Sequence, residues 1–106
     1  MENIRKFYGD TLVRLNNFNC KNYFNEFKVE YYKTINIFNN DKCSKFGIEV
    51  IKKIKIENGE IIEKKEVNNF LDEEEKVDKL LYILKRNKVT PVCLEEVIED
   101  LKWFWN

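Results

Sequence analysis

The chain has 106 residues, with 43% hydrophobic and 36% charged side chains and a formal net charge of zero. That composition is too apolar for a disordered segment, and charge interrupts every apolar run well short of the roughly 18 to 20 residues a spanning helix needs. The length suits one domain with one hydrophobic core, and Met1-Glu2-Asn3-Ile4-Arg5-Lys6 has no signal-peptide pattern, so the expected setting is the cytoplasm, with no membrane partner.

The charge is unevenly spread. Residues 1–56 hold 11 Lys or Arg against 6 acids, a surplus of +5, and residues 57–106 hold 8 against 13, a deficit of −5. Two halves packed together would compensate one another; a basic face offered to an acidic partner is the sharper reading. The chain contains no His, Ala or Gln and is rich in Lys, Asn, Ile, Glu, Phe and Tyr, the codon signature of an AT-rich, low-GC bacterial or phage genome.

At the start of the chain Ile4, Phe7, Tyr8, Leu12 and Leu15 recur at helical spacing. Gly9 and Asp10 weaken that helix, and a short strand over Thr11–Leu15 is the equal alternative, so residues 1–22 are open between helix and strand. From Phe27 the pattern alternates strictly, with Phe27, Val29, Tyr31, Ile35 and Ile37 on one face. This predicts a half-buried strand, or two strands broken near Lys33. After the turn residues Asn39-Asn40-Asp41-Lys42, a second strand is expected over Lys45–Ile56, with Gly47 marking a bulge or a close backbone approach. Asn58-Gly59 between Ile54-Lys55-Ile56 and Ile61-Ile62 predicts a type I′ hairpin, returning as a strand to Val67. Residues 23–67 therefore form an antiparallel meander of three to five strands.

The last third supplies two amphipathic helices. Asp72 is the expected N-cap of the first, over about 73–87, with Val77, Leu80, Leu81 and Leu84 as its stripe. Thr90-Pro91 opens the second, over 91–104, with Leu94, Val97, Ile98, Leu101 and Phe104 inward. The expected fold class is α+β, a meander covered on one face by a C-terminal αα-hairpin in a single domain spanning 1–106.

The segments Phe46-Gly47-Ile48-Glu49-Val50, Lys76-Val77-Asp78-Lys79-Leu80-Leu81, Asn87-Lys88-Val89-Thr90-Pro91-Val92 and Glu96-Val97-Ile98-Glu99-Asp100, with the Asn58-Gly59 turn, resemble a family of short clostridial proteins known as a domain of unknown function. The likeness runs over about residues 43–102, with a weaker echo from Phe24, and its most specific part is the Asn-x-Val-Thr/Ser-Pro junction. A His often stands two positions after that proline in the family; here Cys93 takes the place. The resemblance implies the order of the elements and brings no activity, cofactor or catalytic residue.

For chemistry, the lack of His removes the commonest general base and metal ligand. Cys20, Cys43 and Cys93 are too widely spaced for a CxxC site and odd in number, and the lone Ser44 sits in no nucleophile motif. The three cysteines read as small buried hydrophobes or free thiols; Cys93, in the first turn of the second helix, is the one suggestive thiol, but the expectation for it is a buried packing residue. Asp72–Glu75 lacks the alternating oxygens and Gly of a calcium loop. No catalytic, cofactor or metal residue is assigned, and the expectation is a non-enzymatic interaction or regulatory protein binding another protein or a second copy through Trp103 and Trp105 or a free sheet edge. The alternative is a nucleic-acid-binding module in which Lys21, Tyr23, Phe24, Lys28, Tyr32 and Lys33 stack and neutralise single strands.

Overall fold

The computed structural model describes residues 2–14, 26–38 and 43–102. Four strands, β1 (Glu2–Arg14), β2 (Glu26–Phe38), β3 (Cys43–Ile56) and β4 (Gly59–Leu71), precede helix α1 (Glu74–Arg86), a 3-10 turn (Pro91–Cys93) and helix α2 (Leu94–Asp100). The sheet is antiparallel throughout in the order β1-β2-β3-β4, so every strand lies beside its sequence neighbour. The fold is therefore α+β, a four-stranded antiparallel sheet followed by two C-terminal helices.

Alternation in β2 and β3 sets the register. Tyr31 pairs with Val50 and Ile35 with Phe46, which puts the apolar odd positions of β2 and even positions of β3 on one face. Val29, Tyr31, Ile48 and Val50 are fully buried there and share one apolar cluster with Val77, Leu80, Leu81, Leu84, Val89, Leu94 and Ile98. This is the core face of the sheet. A second anchor is polar: the buried Tyr31 hydroxyl donates to the Val89 carbonyl at 2.8 Å, tying the central strand to the connection after α1.

Several local expectations are corrected. Residues 2–14 are strand, not helix, and the strand is much longer than Thr11–Leu15: Gly9 and Asp10 disfavour helix, and the register from Glu2↔Ile37 to Arg14↔Glu26 pairs the segment with β2 along its whole length. Of the two alternatives for β2, the single strand holds: it runs unbroken through Lys33. The β3–β4 turn consists of Glu57-Asn58, because Ile56 pairs with Gly59, and neither Asn58 nor Gly59 has positive φ, so the turn is not type I′. Asp72 does not cap α1. It is drawn into an ion pair with Lys45, and Glu73 takes the N-cap position without a side-chain bond. The second helix runs over Leu94–Asp100 after a 3-10 turn at Pro91–Cys93, and Lys102 is again helical beyond a turn at Leu101. Phe104 lies outside the described residues.

Gly47 does mark an irregularity. The β3–β4 register shifts between Phe46 and Ile48, with Asn69 opposite at φ 55°. A Cβ on Gly47 would stand 2.4 Å from the Val67 carbonyl oxygen and 2.8 Å from the Asn68 Cα, a close approach that only glycine allows.

Candidate functional site

The face opposite the core is built from Arg5 and Phe7 of β1, the even positions of β2, and Glu49, Ile51 and Lys53 of β3. Its centre is Tyr32. The Arg5 guanidinium lies 3.7 Å from the ring centroid, and Phe7 meets the ring edge-on with centroids 5.4 Å apart. The Tyr32 hydroxyl donates to Glu30 Oε1 at 3.0 Å. Glu30, only 7% exposed, also faces Lys53 at 3.1 Å and Lys28 at 3.4 Å, while Lys28 reaches Asp10 at 3.5 Å and Arg5 pairs with Glu49.

These contacts fix the protonation states. Desolvation pushes the Glu30 carboxyl up, but hydrogen bonds from Lys53 and Tyr32 outweigh it and hold the pKa below the ordinary carboxylate value. Desolvation opposes the Arg5 charge, and the Glu49 hydrogen bond and charge more than restore it, leaving its pKa raised. Burial and the bond to Glu30 raise the Tyr32 phenol. Arg5, Lys28 and Lys53 are thus each matched by a carboxylate in one local network.

The residues of the nucleic-acid reading are divided by this geometry. Lys28 and Tyr32 share the network, whereas Lys33 projects to the core face, where it bonds Glu74 at 2.8 Å and Asp78 at 2.7 Å on α1. Desolvation lowers the Lys33 pKa, and the two carboxylates reverse this and raise it. Lys21, Tyr23 and Phe24 lie outside the described residues, as do Trp103 and Trp105. Cys93, expected to be a buried packing residue, is instead an exposed free thiol at the end of the 3-10 turn. The carboxylates of Asp72, Glu73 and Glu74 face Lys45, Lys76 and Lys33 respectively.

The other notable feature is β1 itself. Among the described residues it pairs with β2 alone, which leaves one side of its backbone open. A register shift between Phe7 and Gly9 bulges the strand at Tyr8, and Phe7 (56% exposed), Tyr8 (37%) and Leu12 (43%) stand out from it. The Glu30–Tyr32 pair was readable in the sequence from its spacing of two along a strand. Arg5 and Phe7 were not, because they join Tyr32 only if residues 2–14 form a strand in this register.

Among the described residues no helix is long and apolar enough to cross a membrane. Comparison with curated proteins and with solved structures gives no match. The match to a family model is extensive, covering residues 12–102 and reaching well beyond the region of the sequence resemblance. The chain belongs to the family of unknown function DUF6514.

Proposed function

We propose that this chain is a small, non-enzymatic protein-interaction or regulatory domain of the cytoplasm that takes an extended segment of a partner protein along the free edge of β1. In this reading the two helices pair over the core face and leave the strand edges for contact, an arrangement supported by the apolar cluster they share with β2 and β3. The observation that carries the proposal is an edge strand that among the described residues pairs on one side only, with Phe7, Tyr8 and Leu12 exposed along it. Such an edge supplies main-chain hydrogen bonds to an incoming strand, and the exposed rings supply apolar anchors.

The local matching of Arg5, Lys28 and Lys53 by carboxylates favours a protein over a nucleic acid, since a phosphate backbone draws on cations free to exchange counterions. A photoreactive residue at Phe7 or Leu12, and at Glu96 on α2 as the control, tests this in cells. Adducts that resist nuclease, arise from Phe7 and Leu12, and are missing from Glu96 are expected; an adduct of twice the chain mass identifies a second copy as the partner. Adducts lost on nuclease treatment, or equal from all three positions, contradict it.

A further inference from the structure

Between the bulge of β1 and the end of α1 lies an open cleft of about 400 Å³, lined by Tyr8 and Asp10 on one side and by Tyr82, Lys85, Arg86 and Lys88 on the other. Tyr82 is 58% exposed, so both phenols stand at the rim. Asp10 is committed to Lys28. The three cations have no acidic partner among the described residues, and the only acidic side chain in the rest of the sequence is Asp41.

Cations at the end of a helix answer the partial negative charge of its last carbonyls. Here backbone amides already meet that need: the N–H groups of Asn87, Lys88 and Val89 donate to the carbonyls of Ile83, Lys85 and Leu84 at 3.0 to 3.1 Å, and the Asn87 amide adds a bond to Ile83 at 2.8 Å. The side-chain charges are left over. They meet the open edge of β1, where an incoming chain would find backbone partners.

We propose that this cleft selects the partner: an extended acidic peptide segment pairs with the β1 edge and sets its carboxylates against Lys85, Arg86 and Lys88, with Tyr8 and Tyr82 flanking its backbone. The inference rests on the β1-edge reading and adds the chemistry of what binds there. A peptide fits better than a nucleic acid because Lys85, Arg86 and Lys88 cluster at one corner, whereas a polynucleotide draws on a continuous basic track, and on the face around Tyr32 Arg5, Lys28 and Lys53 are each paired with a carboxylate.

The test uses the full chain and three labelled probes: a short synthetic peptide alternating Glu and Val, its Lys-Val counterpart, and an oligothymidine. Fluorescence anisotropy is expected to show binding of the Glu-Val peptide alone, weakened roughly tenfold or more by Arg86→Glu combined with Lys88→Glu and weakened again by high salt. All three basic side chains are exposed, and an unchanged circular dichroism spectrum and melting temperature separate lost charge from lost fold. No binding of the Glu-Val peptide, equal binding by the double variant, or tighter binding of the oligothymidine overturns the proposal. Should the peptide fail while nuclease-resistant adducts still form at Phe7 and Leu12, the acidic preference falls and the edge reading stands; loss of those adducts removes the edge reading itself.

Discussion

At Gly47 a single hydrogen decides whether β3 and β4 can approach. Gly47→Ala would drive a Cβ into the backbone of Val67 and Asn68, which cannot swing aside, and to 2.6 Å from Thr34 Oγ1, and should destabilise the protein by about 2 to 3 kcal/mol in urea unfolding. Gly59→Ala is the internal control: nothing lies within 4 Å, φ is not positive, and the change should stay within about 0.5 kcal/mol. Tyr31 carries a second prediction. Burial raises its phenol above the ordinary 10.0, so its contribution to stability is complete below pH 10.0 and is lost as pH climbs toward the folded value. Lys33, raised above 10.5 despite desolvation by its bonds to Asp78 and Glu74, acts in the same direction. Glu30, lowered below 4.5, contributes above that pH and ceases to as pH falls through its folded value. Stability should therefore decline on both sides, with the alkaline limb starting near pH 10. Tyr31→Phe should cost about 1 to 2 kcal/mol at neutral pH by orphaning the Val89 carbonyl, and should flatten that limb. Melting temperatures across pH 3 to 11 check both.

Among the elements, α1 shows what periodicity can and cannot reveal. Its stripe of Val77, Leu80, Leu81 and Leu84 was legible because a 3.6-residue period points all four the same way, and all four are buried. Leu80→Ala should cost about 2 to 5 kcal/mol. Its ends were less legible. Lys45, 27 residues upstream, competes for Asp72 and wins it, a tertiary pairing that no local pattern encodes. At the other end Lys88 occupies the left-handed position of a Schellman closure, φ 54°, with Val89 N–H to Leu84 and Lys88 N–H to Lys85 completing it. Glycine is the usual residue there, and the sequence has none at that point, so the closure left no signal. Lys88→Gly should stabilise the fold by about 0.5 to 1 kcal/mol by relieving the left-handed backbone, read from the urea midpoint. The strands divide along similar lines. β2 and β3 alternate cleanly because each has one apolar face, whereas β1 mixes Ile4, Phe7, Tyr8 and Leu12 at spacings that also suit a helix, and only its pairing with β2 decides the matter.

For the molecule as a whole, the charge asymmetry of the sequence is partly answered by ion pairs between the two halves. Lys33 on β2 and Lys45 on β3 reach Glu74, Asp78 and Asp72 across the boundary between the basic and acidic halves. Lys85, Arg86 and Lys88 at the end of α1, without an acidic partner among the described residues, cluster beside β1, and this is why the functional reading turns on that strand rather than on the aromatic face around Tyr32. The strand character of residues 2–14 was half readable from sequence, yet the edge position depends on the strand order and was not. The most direct measurement is amide hydrogen exchange along β1. An open edge predicts fast exchange at alternate amides between Glu2 and Arg14, with slow exchange at the intervening ones and throughout the central parts of β2 and β3. Uniformly slow exchange along β1 would mean that the edge is already covered, and would contradict the account.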